Sequence, residues 1–184
     1  AACPGLPLGV NVLRNDGAAA LAIAAVVGAA CIRVNVLTGA RVTDQGLIEG
    51  EAAALMRERR ALGASVRVWA DVDVKHSAPL ARRDVAAEAK DTALRGLADA
   101  LLVTGEGTGV AASRETIAAV RGAAPGVKVY VASGATEAAL VDLAAACDGV
   151  IVGSALREGG VAGGPIVPAR AEAFARAFRA AFRH

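Results

Sequence analysis

Short apolar runs recur along the chain at intervals that suit one repeated unit. Residues 8–12, 32–36, 66–70, 100–103, 127–132 and 150–152 are brief and rich in Val, Ile and Leu, as buried strands are. The longer stretches between them are Ala-rich and predict helices over about 17–27, 49–62, 84–95, 113–121, 137–146 and 169–182. Asp16, Ser113 and Thr116 stand where helix caps belong, and Gly63 stands where a helix stops. Residues 42–46, Val-Thr-Asp-Gln-Gly, read as a mostly polar loop. Strand starts lie roughly 23 to 34 residues apart, the spacing of βαβ crossovers, so the sheet is predicted to be parallel. Six such units fit either an open doubly wound sheet or six-eighths of a (β/α)₈ barrel, whose usual length is about 250 residues. Length favours the open sheet. Polar or Gly-bearing groups follow every strand, however, whereas an open sheet gathers its site at one switch point. The pattern therefore predicts an α/β chain of the (β/α)₈ TIM-barrel type, one domain over 1–184 with six units present.

Residues 65–79 concentrate the chemistry. Ser-Val-Arg-Val-Trp-Ala-Asp-Val-Asp-Val-Lys-His-Ser-Ala-Pro runs from an apolar strand straight into four ionisable side chains. With a period of two, Asp71, Asp73 and Lys75 are expected to share one face, and His76 turns the corner with them. A buried parallel strand gains nothing from such groups, and its carboxyl end is where α/β sheets build sites. A solvated Asp/Lys ion pair is the plainer alternative. Asp71 is the first choice as general base or as ligand to a divalent cation. Lys75 is read as electrophile, charge partner or Schiff-base amine, with Asp73 beside it. His76 has a pKa suited to proton transfer, against a hydrogen-bonding loop residue as the alternative.

The last two strands end in Val131-Ala-Ser-Gly-Ala-Thr136 and Val150-Ile-Val-Gly-Ser-Ala-Leu156. Ser133, Gly134, Gly153 and Ser154 are thus candidate phosphate-binding residues, since turn N–H groups and hydroxyls grip phosphate oxygens there. Each pair taken singly is a common turn or cap. Asn11 and Asn35, from the first two strands, are placed to orient hydroxyl or carbonyl oxygens. Thr104 opens the Gly-bearing loop 104–109 and joins them as a substrate-binding candidate. Asp44 and Glu106 lie on loops and have no further support.

Composition narrows the partners. The chain is 55% hydrophobic but only 3% aromatic, so Ala, Val, Leu and Gly must build the core. A net charge of +2 and so few stacking rings make nucleic acid an unpromising partner. Cys3, Cys31 and Cys147 are odd in number and far apart, which argues against a disulfide framework or a zinc site and fits a reducing cytoplasm. Residues 17–32 are uncharged but Ala-dominated and too short for a membrane span, and no signal peptide is visible in this stretch of chain. Phe174, Phe178 and Phe182 form a stripe on the last predicted helix among several Arg. Such a stripe is expected to pack on the sheet, with a membrane or partner surface as the alternative.

Taken together, Gly9-Val-Asn-Val-Leu-Arg-Asn-Asp16, Ile32-Arg-Val-Asn-Val-Leu-Thr-Gly39, Thr43-Asp-Gln-Gly-Leu-Ile-Glu-Gly50 and Ala70-Asp-Val-Asp-Val-Lys-His76 resemble the BtpA/SgcQ family. The likeness continues through Ala98-Asp-Ala-Leu-Leu-Val-Thr-Gly105, Val131–Thr136 and Asp148-Gly-Val-Ile-Val-Gly-Ser154. The resemblance implies a barrel of the ribulose-phosphate-binding type. It also implies two roles: a factor in photosystem I biogenesis or stability, and a carbohydrate-metabolism enzyme of unsettled reaction. With the ionisable cluster and the phosphate candidates beside it, the leading expectation is an enzyme that binds a small phosphorylated sugar or related metabolite and performs proton transfer, isomerisation or carbon–carbon cleavage, and the alternative is a non-catalytic assembly factor. Family members carry a further amino-terminal region with a His-bearing segment and two strand–helix units, so this chain corresponds to units three to eight of an incomplete barrel. Its first and last strands are then expected to be open edges, available for pairing with another chain, a homo-oligomer included.

Overall fold

The computed structural model describes residues 5–74, 76–81, 83–105 and 112–182. In chain order they form β1 (Gly9–Val10), α1 (Gly17–Val27), β2 (Cys31–Val34), β3 (Ala40–Thr43), β4 (Gly46–Glu49), α2 (Ala52–Ala61), β5 (Arg67–Val72) and β6 (Ser77–Pro79). There follow α3 (Val85–Lys90), β7 (Ala100–Val103), α4 (Arg114–Ala123), β8 (Lys128–Val131), α5 (Leu140–Ala146), β9 (Gly149–Val150) and α6 (Pro168–Ala181). Six strands make one parallel sheet in the order β1-β2-β5-β7-β8-β9, so each lies against the strand that precedes it in the sheet's own sequence.

Alternation along these strands separates two faces. Ile32, Val68, Ala70, Leu101, Val129 and Val131 point to the helices and are buried with Leu21, Ile117, Leu140 and Phe174 in one core. The opposite set, Arg33, Trp69, Asp71, Leu102 and Tyr130, lines the other face in adjoining registers. On that inner face Trp69 and Tyr130 stack with ring centroids 4.7 Å apart, on either side of β7, where Trp69 pairs with Ala100. Gly149, opposite Tyr130, leaves room for the ring, since a Cβ there would meet Tyr130 at 2.9 Å. Among the described residues β1 and β9 each have a neighbour on one side only.

The helices form where their caps allow. Asp16 Oδ1 accepts the Ala19 N–H at 2.8 Å, and Ser113 Oγ accepts the Thr116 N–H at 3.1 Å, each satisfying an orphan donor of a first turn. α1 turns Ala20, Leu21 and Ala24 inward, and the small Ala side chains let it approach the sheet closely. α3 is α-helical for six residues and then widens through Asp91–Arg95, with the Gly96 N–H reaching back to the Asp91 carbonyl. Phe174 and Phe182 are buried and Phe178 stacks on Phe182 at 4.5 Å, so the aromatic stripe of α6 packs on the core.

One element departs from the expected polar loop at 42–46. β3 and β4 form a hairpin closed by Asp44 and Gln45, and β6 adds to its other side to make an antiparallel sheet β4-β3-β6. Each strand is only three or four residues long, and Val42 and Leu47 are about half exposed, so no apolar alternation announces it. What it buries is an arginine, Arg41, at 3% exposure. This flap follows β2 and returns after β5, which places it at the carboxyl end of those parallel strands.

Candidate functional site

The carboxyl ends of β1, β2 and β5 carry a connected polar network. Asp71 projects from β5 onto the inner face with a fully buried side chain. Arg33 of β2, two residues before Asn35, which follows the strand, grips it with both arms of its fork: Nε donates to Oδ2 at 3.0 Å and Nη2 to Oδ1 at 2.8 Å. Asn35 Nδ2 donates to Asp71 Oδ2 at 2.6 Å. Asn11 Nδ2 in turn donates to the Arg33 carbonyl at 2.9 Å and to Asn35 Oδ1 at 3.4 Å. Three of the residues expected from sequence are therefore brought together across neighbouring strands. Arg33 is a functional candidate that the sequence pattern alone did not single out. Its period of two with Asn35, one strand away from Asp71, was the available signal.

Asp73 goes elsewhere, which corrects the expectation that it shares a face with Asp71. β5 stops at Val72, and Asp73 takes a left-handed φ of 53°, so the alternation breaks at that residue. Its carboxylate pairs with Arg41 of the flap, its N–H donates to Glu88 Oε1 at 3.0 Å, and its carbonyl accepts from Thr104 Oγ1 at 3.4 Å. Lys75 lies outside the described residues. His76 is exposed and also has a left-handed φ, 57°. The cluster that is contiguous in sequence is thus divided between the barrel interior and the flap.

The other candidates stand at the same end of the sheet, two and three strands from β5. Ser133 is buried just after β8, and Gly134 adopts φ 71°, a conformation that favours glycine. Gly153 and Ser154 follow β9, where Ser154 opens a short 3-10 turn, Ser154–Leu156. Of the two loop acids, Asp44 pairs with Arg14 at 3.5 Å and Glu106 lies outside the described residues. Among the described residues no three His, Cys, Asp or Glu side chains gather as metal ligands. Both Asp71 oxygens face Arg33 and Asn35 instead. Elsewhere on the inner face, burial pushes the Tyr130 phenol and the Cys31 thiol up, with Arg67 opposing in both cases. Among the described residues no helix is long and apolar enough to cross a membrane.

A curled parallel sheet in sequential order, helices on one face and a polar network at the strands' carboxyl ends define a TIM-barrel-type protein. Solved structures agree on the fold. The native KDPGal structure is 21% identical with a TM-score of 0.59 over 97% of this chain and 70% of that one. Phosphoribosyl anthranilate isomerase from Thermococcus kodakaraensis is 20% identical with a TM-score of 0.57 over 95% and 75%. Within that class the chain belongs to the BtpA family, whose model matches residues 4–180. The Photosystem I biogenesis protein BtpA of Synechocystis sp. is 47% identical over 93% of this chain and 60% of its own length. The chain thus spans about 60% of the length of the curated relatives it matches.

Proposed function

We propose that this barrel binds a small phosphorylated sugar or related metabolite and moves a proton next to its carbonyl, in an isomerisation or a carbon–carbon cleavage. The observation that carries the reading is the Asn11–Asn35–Asp71–Arg33 network at the carboxyl end of the strands. A fully buried carboxylate held by a bidentate guanidinium adds little to stability over an apolar pair, so its place at the site-bearing end argues for chemistry. In this reading Asp71 is the base. Arg33 and Asn35 fix its orientation, and Arg33 balances charge as a neighbouring substrate oxygen becomes anionic. Asn11 and Thr104 orient hydroxyls, and His76 carries protons at the mouth. Ser133, Gly134, Gly153 and Ser154 hold the phosphate. Strand spacing sets them about 10 to 15 Å from β5, a span that suits a phosphorylated chain of a few carbons.

The test is proton exchange in deuterium oxide, followed by NMR on ribulose 5-phosphate and related ketose and aldose phosphates, alongside a thermal-shift series with inorganic phosphate. Exchange at a carbon next to the carbonyl should occur and be abolished in Asp71→Asn, while phosphate still raises the melting temperature of the variant. Absence of both exchange and phosphate stabilisation would remove the reading. A second role, as a non-catalytic factor in photosystem I biogenesis, draws support from the name of the Synechocystis relative. It is favoured if no sugar phosphate is bound and the host's photosystem I content falls when the gene is deleted.

A further inference from the structure

Asp73, Val74 and His76 lie between β5 and Ser77, the first residue of β6, at the carboxyl end of β5. Two of them, Asp73 and His76, are held at φ 53° and 57°. Each such conformation costs about 1 kcal/mol or more and persists where surrounding contacts over-determine it. The contacts converge on one side chain that belongs to neither end of the segment. Arg41, at 4% side-chain exposure, donates from Nε to Ser77 Oγ at 2.7 Å, from Nη1 to Glu88 Oε1 and Oε2 at 3.0 and 3.2 Å, and from Nη2 to Asp73 Oδ1. Glu88 completes a ring by accepting the Asp73 N–H at 3.0 Å, and Ser77 Oγ donates to the Val74 carbonyl. One buried cation therefore fastens the first and last residues of the segment, to each other through its fork and to α3 through Glu88.

We infer that Arg41 is the positioning residue of the candidate site: the flap carries this guanidinium to Asp73 and Ser77, and by fixing those two residues it fixes the backbone position of His76 between them at the carboxyl end of β5. The inference rests on the proposed role of the site at the carboxyl end of β5, but the locking itself is independent of any ligand. A lysine at 41 keeps the charge and loses the fork, so it cannot hold Ser77, Asp73 and Glu88 at once. The flap's own pairing, Ala40 with Glu49 and Thr43 with Gly46, does not require the arginine side chain.

The experiment reads the segment without substrate. Hydrogen–deuterium exchange of the Asp73 amide and the carbon-bound imidazole NMR signals of His76 are followed in wild type, Arg41→Lys, Glu88→Gln and Ser77→Ala; His184, the other histidine, is told apart by a His76→Gln control. The expected result is at least tenfold faster exchange at Asp73 in Arg41→Lys and Glu88→Gln, with the His76 signal split or broadened in all three variants. The Trp69 indole signal, on the inner face, should stay in place. A His76 signal and Asp73 exchange unchanged in Arg41→Lys would overturn the inference. Equal disturbance of Trp69 would reduce Arg41 to general support of the fold. Should Arg41→Lys fail to fold, the Glu88→Gln and Ser77→Ala pair decides by the same criteria. Absence of both sugar-phosphate exchange and phosphate stabilisation in wild type would sink the proposed function and leave this result standing.

Discussion

Replacing Arg33 by Met should test how much the inner polar network matters to the fold, because the structure isolates one charge. Asp71 has a fully buried side chain and Arg33 is 22% exposed, so removing the guanidinium leaves a carboxylate that water reaches poorly. Breaking one side of a buried pair costs about 3–5 kcal/mol. Asn35 keeps its 2.6 Å bond to Oδ2, and the partly open site admits some solvent, so the lower end, about 3 kcal/mol, is expected. For a chain of this length that is a fall in melting temperature of roughly 6–12 °C. Urea denaturation followed by Trp69, the single tryptophan, measures it. The Asp71→Leu single variant and the Arg33→Met/Asp71→Leu double variant complete a cycle, in which the double should be more stable than the sum of the singles by more than about 1 kcal/mol. Strict additivity, or a loss of under about 1 kcal/mol in Arg33→Met, would show that the pair is not energetically coupled and refute the reasoning.

Gly149→Ala places a Cβ 2.9 and 3.0 Å from the Tyr130 ring, which is already stacked on Trp69, and should cost about 1–3 kcal/mol with a shifted Trp69 emission maximum; an unmoved spectrum would contradict the packing. Phe174→Ala empties a buried position under α6 and is expected to lose about 3–5 kcal/mol in a urea melt, clearly more than Phe178→Ala, whose ring is only partly buried. Burial raises the Cys31 and Cys147 thiols above their ordinary 9.0. The folded chain then keeps protons that the unfolded chain sheds, so the thiols' contribution to stability is constant below about pH 8 and falls as pH rises through about 9 and beyond. Urea midpoints across that range should show the fall, and a Cys147→Ala variant should show a shallower one.

The parallel strand–helix repeat was legible because its strands bury one apolar face and follow each other at the spacing of helical crossovers, from Val10 to Val150, and the polar or Gly-bearing groups after every strand pointed from there to a barrel. Caps at Asp16 and Ser113 were legible for the same local reason, a short polar side chain placed just before an Ala-rich run. The flap was not. Its strands show little apolar face, and its purpose is carried by Arg41, whose partners lie 32 to 47 residues away along the chain. The site was legible in part: Asn11, Asn35 and Asp71 meet as alternation and strand order imply. Asp73 parted from them because a single left-handed residue ended the alternation; Asp adopts that conformation more readily than most side chains, but its type alone does not say where it will. Arg33 was hidden by its own ordinariness, since an arginine on a strand reads as a solvent-facing insertion until its cross-strand neighbour is known.

Sequential strand order also bears on how the molecule comes into being. In the main sheet each strand docks on an edge completed by the previous unit, so a chain emerging from the ribosome need never wait for a distant segment before adding its next layer. The sequence separations across neighbouring strands stay near the length of one unit, so each new pairing closes a loop of similar length. A seam beyond β7 would part only one pair of neighbouring strands, whereas a seam between β2 and β5 would also part β3 from β6 in the flap. Evolution can lengthen, shorten or split such a sheet by whole units, and the remaining hydrogen-bonded neighbours keep their register.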